Sequence, residues 1–277
     1  MKADCHMHMI LDGLQWKASI DRHRARPDEA YIRGILARYQ QRGFTYLRDG
    51  GDRWGAGAKA RELAPEYGIV YRTPLAPLCK EGHYGAFIGR TYRNFREYAA
   101  LVKEQKNQGA DFIKIMISGL MDFSQFGVLT EPGLEPDWIR ELIHIAHEEG
   151  MAVMAHANGG DTVEAAAAAG VDSVEHGAYL HDGALAAMEE ANTVWVPTLS
   201  TVGNLLGKGR FPDDQVAPIL ESTLENLEKY RGLVALGTDA GAWAVPHVSE
   251  TEADLLAKAG IGEARWKQGE AVIVEKF

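Results

Sequence analysis

A single-domain (β/α)₈ barrel is the fold this 277-residue chain predicts. Three observations carry that expectation. Eight short apolar runs alternate with amphipathic stretches of helical length. Glycine closes most of those stretches. Histidine, lysine and aspartate recur at the ends of the apolar runs.

The strand candidates are 3–9, 44–48, 69–75, 111–117, 151–155, 172–175, 193–196 and 233–236. Between them lie amphipathic stretches at about 28–42, 56–67, 92–108, 135–149, 161–169, 183–191 and 214–231, and a helical tail covers about 249–273. Gly43, Gly68, Gly109, Gly150, Gly170 and Gly232 stand where a helix has to stop. Glycine enters the left-handed conformation there without strain. Repeated helix–Gly–strand units mean parallel strands with helices outside, and eight such strands close a barrel. An open doubly wound sheet is the alternative. It requires a glycine-rich phosphate loop after an early strand, and none stands out.

Apolar residues make up 46% of the chain, enough for a sizeable core, and no Pro/Ser-rich linker divides it. The formal charge is −10 with Lys and Arg dispersed, which argues against nucleic acid or an anionic membrane as a partner. The two cysteines, Cys5 and Cys79, form no C-x-x-C and fit a reducing compartment. No apolar run approaches ~18 residues and no basic-then-apolar leader is visible, so a cytoplasmic protein is expected.

The chemistry sits at the strand ends. In Cys5-His6-Met7-His8 the period-two alternation of a strand puts His6 and His8 on one side, with Cys5 and Met7 turned to the helices. Two imidazoles two residues apart can grip one cation, although the pair alone is weak evidence. Lys114 is sharper. In Phe112-Ile113-Lys114-Ile115-Met116-Ile117 the isoleucines share the helix-facing side, so Lys114 points into the barrel. A buried ammonium either finds a carboxylate or loses its proton, and a neutral amine can capture carbon dioxide as an anionic carbamate. His156 and His176 each end a strand and are followed by small residues that leave room for a ligand. Asp239, in Gly237-Thr238-Asp239-Ala240-Gly241, can bind metal and accept a proton; capping a turn is the plainer alternative. From His6 to Lys114 is 108 residues, three strand–helix units of about 36. The motifs therefore fall on the first, fourth, fifth, sixth and eighth strands, whose ends converge once the barrel closes.

H-x-H, a fourth-strand lysine, two later histidines and a final aspartate together resemble the amidohydrolase superfamily. The segments 43–51, 109–119, 153–159, 171–177 and 235–241 are similar to its imidazolonepropionase- and prolidase-like branch, and the resemblance covers about residues 3–260. It implies a metal-dependent hydrolase barrel in which His6, His8 and Asp239 hold one metal, His156 and His176 hold a second, and carboxylated Lys114 bridges them. Zinc is the usual ion for this N/O ligand set. Asp239 would shuttle the proton to the leaving nitrogen. Members of that superfamily usually carry two segments that build a small β-sandwich beside the barrel, and a barrel with little or no such sandwich is expected here.

Other residues are weighed beside these. His83 and Tyr84 follow the third strand and are candidates for substrate contact or a plain exposed loop. Arg48 ends the second strand and either binds a substrate carboxylate or pairs with Asp49 or Asp52. Tyr179 and His181 follow the sixth-strand ligand, and His247 lies in a loop that could close over substrate. His144 and His147 belong to a helix surface or core edge, and His23 to a polar loop. The expected function is hydrolysis of an amide or peptide-like C–N bond in a small molecule, with a dipeptidase- or prolidase-like activity leading. A cyclic-amide hydrolase, deaminase or lactonase with one dominant metal, and a non-catalytic ligand-binding barrel, are the rivals. The sequence leaves a homo-oligomer open.

Overall fold

Nine strands pair in parallel throughout the structure, a computed structural model that describes residues 1–277. They are β1 (Ala3–Met7), β2 (Tyr46–Asp49), β3 (Val70–Arg72), β4 (Leu78–Lys80), β5 (Arg90–Tyr92), β6 (Ile113–Met116), β7 (Val153–Ala157), β8 (Ser173–His176) and β9 (Val194–Val196). Two ladders result, β1-β2-β3 and β5-β4-β6-β7-β8-β9.

Residues 233–240 join the two ladders as the eighth stave. On one side Trp195 N donates to Leu233 O (2.9 Å) and Ala235 N to Trp195 O (3.0 Å). On the other, Cys5 N donates to Leu236 O (2.9 Å), Asp239 N to His6 O (2.7 Å) and His8 N to Ala240 O (2.7 Å). Across the ring Asp111 N donates to Thr73 O (3.0 Å), linking β3 to the start of β6. The fold is the expected (β/α)₈ barrel. The expected third strand, 69–75, is interrupted. Pro74 and Pro77 offer no N–H, and Leu75 takes φ +65°, so pairing passes from β3 to β4, which lies against β6. The β4–β5 pair is an addition that periodicity did not reveal.

The crossover helices are Glu29–Gln41, Ala56–Leu63 with a 3₁₀ turn Ala64–Tyr67, Phe95–Asn107, Pro136–Glu148, Gly160–Ala168, Asp182–Ala191 and Asp213–Lys229. Local chemistry starts two of them: Asp28 accepts from Tyr31 N (3.1 Å) and Asn94 from Glu97 N (3.0 Å). The tail divides into Thr251–Lys258 and Glu263–Lys276. Helices Trp16–His23 and Ser200–Gly203 were not anticipated. His23, expected in a polar loop, is instead buried at a helix end, where Nδ1 accepts from Asp28 N (3.0 Å). Five of the six stop glycines have positive φ; Gly232 does not, and its place is tight because a side chain there would overlap Tyr230. No helix is long and apolar enough to cross a membrane.

Alternation sorts most of the core. Ile113, Ile115 and Ile117 pack outward against Ile139, Leu142 and Ile143. Inside, Phe112, Met154, Val194, Val196 and Ala235 fill the lower barrel, and Ile273 of the last helix and Phe277 just past its end close it from below. Cys5 corrects an expectation: it packs into this interior group and does not face the helices. The register of β1 on β2 runs Asp4↔Leu47 and then Met7↔Asp49, so Cys5 and His6 together oppose Arg48 alone. This β-bulge turns two successive side chains inward, while Met7 faces the helix layer as expected.

Candidate metal centre

The bulge sets His6 above Cys5 and keeps His8 on the same side. Their Nε2 atoms lie 3.4 Å apart, and Asp239 Oδ1 is 3.5 Å from His6 Nε2 and 3.3 Å from His8 Nε2. Asp239 reaches this point from a left-handed backbone (φ +54°) just past the eighth stave. Buried Asp4 fixes the preceding residue, accepting from Thr238 N (3.0 Å) and Thr238 Oγ1 (2.7 Å). His176 also has positive φ (+71°), which swings its ring into the pocket although inward-facing Glu175 precedes it. Strain of this kind persists only where surrounding structure enforces it, and it collects at functional sites.

The other rings lie close by. Ring centroids of His156 and His176 are 4.5 Å apart, and those of His6 and His176 5.3 Å. His156 Nε2 is 3.2 Å from Gly119 O and His176 Nδ1 is 2.7 Å from Thr198 Oγ1, so each ring has one nitrogen anchored and one unengaged. Three glycines of the quoted motifs make the closeness physical. A Cβ at Gly50 would overlap the His8 ring, one at Gly237 would meet His6, and one at Gly177 would meet Trp195.

Protonation states suit cation binding. Burial lowers His6 to about 4 and His156 to about 3, with Lys114 adding to both, and burial drives His176 well down. These imidazoles are neutral at pH 7. Burial pushes Asp239 up, but His6, His8 and Lys114 outweigh it and hold it ionised. Lys114 is buried with no hydrogen-bond partner on Nζ, and burial lowers it to about 8.

The residues present fit a divalent cation. Ligand atoms of His6, His8 and Asp239 all lie within 4.8 Å of one another, and Asp239 Oδ1 has no hydrogen bond. Neutral imidazole plus carboxylate is a donor set that binds zinc.

Sequence reasoning overlooked Glu175. Its Oε2 lies 2.8 Å from His6 Nδ1, and its Oε1 accepts from Arg48 Nη2 (2.8 Å) and Ser173 Oγ (2.6 Å). The signal was available: in Ser173-Val174-Glu175 alternation turns the glutamate inward, by the logic applied to Lys114. Thr198, anchoring His176 from the end of β9, carried no such signal.

Arg48 departs from both of its expected roles. It is fully buried and donates to Cys5 O (2.6 Å), Ser173 Oγ (2.9 Å) and Glu175, not to a substrate, Asp49 or Asp52. His247 is also buried; Nε2 lies 2.9 Å from Leu11 O and Nδ1 3.4 Å from Tyr39 Oη, so it pins its loop inward. His83 stands beside Glu131 (3.3 Å), and Tyr84 lies against His156 with ring centroids 4.9 Å apart. Tyr179 packs edge-on to Phe126 (5.3 Å). His181 caps its helix by accepting from Ala184 N (3.2 Å), and exposed His147 pairs with Asp172 (2.9 Å).

Comparison with known proteins agrees with this architecture. An uncharacterised protein of Mycobacterium tuberculosis is 35% identical over 117 residues, 41% of this chain and 31% of that protein. The ochratoxinase of Aspergillus niger is 24% identical over 281 residues, 85% of this chain and 56% of that protein. The chain thus spans about a third to a half of these curated relatives. The crystal structure of a Xaa-Pro dipeptidase with bound methionine superposes with TM-score 0.75 at 20% identity, covering 99% of this chain and 75% of that one. A sequence model of the Amidohydrolase family matches residues 31–263, and the chain belongs to that family.

Proposed function

We propose that this protein is a metal-dependent hydrolase that cleaves an amide or peptide-like C–N bond in a small substrate, with dipeptides of the prolidase type as the leading class. One observation carries the reading: three ligand atoms within 4.8 Å of one another at the mouth of a parallel barrel, beside a buried and unpartnered lysine amine. Family membership and the fold shared with a Xaa-Pro dipeptidase and an ochratoxinase support it.

His6, His8 and Asp239 hold one ion in this reading, and the unengaged nitrogens of His156 and His176 a second. Lys114, lowered by burial to about 8, is neutral in a fraction of molecules at pH 7 and could add to carbon dioxide, forming an N–C bond with loss of one proton; the anionic carbamate would then supply a further oxygen ligand. Bound there, two zinc ions would acidify the attacking water and polarise the scissile carbonyl. With the ions bound, Asp239 would accept the proton of the attacking water and pass it to the leaving nitrogen. Glu175 holds the His6 ring by its far nitrogen.

Elemental analysis of the purified protein should find about two ions per chain, and Lys114→Ala should lose both bound metal and peptide hydrolysis. One tightly held ion with unchanged hydrolysis in that variant would overturn the two-ion reading. A one-ion enzyme acting on a cyclic amide or lactone, or as a deaminase, is the second reading. It is favoured by the absence of His156 and His176 from the close three-atom group. Turnover of lactones or cyclic amides without turnover of dipeptides would establish it.

A further inference from the structure

Rings run in unbroken contact from the candidate centre to solvent. Tyr84 lies 4.9 Å from His156, Phe87 5.8 Å from Tyr84, and Trp16 5.6 Å from Phe87. Tyr84 and Phe87 follow β4 and Trp16 follows β1, so all three stand on the side of the barrel that carries the histidines.

The outer end of this row is half open to solvent. Helix Trp16–His23 buries Ser19, Ile20 and His23, whereas Trp16 remains 49% exposed. Leu14, two residues earlier, is 71% exposed. Scattered exposed apolar side chains need no explanation, but a contiguous row beginning at a reactive pocket does.

We propose that Tyr84, Phe87 and Trp16 form a specificity wall that receives an aromatic or bulky apolar side chain flanking the scissile amide. This inference rests on the hydrolytic reading above and adds to it the class of side chain preferred. An aromatic side chain gains both buried area and edge-to-face contact on such a wall. A protein partner covering Trp16 would give no discrimination between small substrates, so the same test separates the two occupants.

The test uses the metal-loaded full chain with dipeptides that differ only in Phe against Ala at each position in turn. At one position the Phe substrate should have a kcat/KM about tenfold or more above its Ala counterpart. Trp16→Ala and Phe87→Ala should each cut that ratio to about twofold, chiefly through KM. Phe87→Leu, which keeps apolar volume, should give an intermediate ratio. Calorimetric titration with N-acetyl-phenylalaninamide and N-acetyl-alaninamide supplies a readout independent of turnover. A Phe/Ala ratio near one at both positions, or one unchanged in both alanine variants, overturns the wall. Retained discrimination in binding without hydrolysis of any amide would sink the hydrolytic reading and leave the wall standing.

Discussion

Arg48→Met removes the cation on which the barrel interior is organised. The guanidinium is fully buried, donates to Cys5 O, Ser173 Oγ and Glu175 Oε1, and lies 4.5 Å from the centre of the Phe277 ring. Methionine keeps the apolar contact and leaves the Glu175 carboxylate in the core without its guanidinium partner, with Ser173 Oγ and His6 Nδ1 still beside it. Breaking a buried pair in this way costs about 3–5 kcal/mol, a large part of the ~5–15 kcal/mol that holds a domain folded. The midpoint of thermal unfolding, followed by circular dichroism, should fall by about 10 °C. The sign with pH adds a second check. Burial pushes Glu175 up, but Arg48 and then His6 pull it down to about 2, so in the parent its contribution is present above the unfolded value near 4.5 and is lost only as pH falls towards 2. Without Arg48 the burial effect is left unopposed by its main counterweight, and the buried carboxylate is easier to keep protonated. The variant's deficit should then be larger at pH 8 than at pH 5. Arg48→Met with Glu175→Gln should recover about half the loss, since no charge is stranded. A single variant melting within about 2 °C of the parent, with the same deficit at both pH values, would refute the reasoning.

Gly50→Ala should displace the His8 ring, because the added methyl has no other space; metal content should drop and hydrolysis should fall by at least about tenfold. Phe277→Ala should cost about 3 kcal/mol in denaturant unfolding, since the ring closes the barrel floor against Phe112 at 5.2 Å. Acid should also act through His247. Burial lowers it to about 4, so its contribution is present above the unfolded value near 6.5 and is lost as pH falls through 4. His247→Gln should flatten part of the stability-against-pH curve between those limits; an unchanged slope would count against a neutral buried imidazole there.

Much of the site was legible because strands impose a period of two. Lys114 could be turned inward from the isoleucines around it, and His156 from its place at a strand end. The same rule misplaced Cys5, since a bulge adds one residue to β1 and leaves no mark in the local text. The same period turns Glu175 inward beside His176, where it meets His6 and Arg48. Arg48 and His247 were misjudged for a different reason. Whether a charged side chain at a strand end or in a loop faces substrate or turns inward depends on partners 125 or more residues away in sequence, Ser173 and Glu175 for one and Leu11 for the other.

The sequence by itself determined the barrel and the order of its crossover helices, and it nominated six side chains for the barrel mouth, because periodicity, glycine stops and residue chemistry are local properties. Only tertiary structure decided what supports them: the bulge that turns Cys5 and His6 the same way, the Glu175–Arg48 pair beneath His6, the eighth stave joined by backbone bonds to both neighbours, and the aromatic row leading outward from His156. Each of these depends on which distant segments meet when the barrel closes.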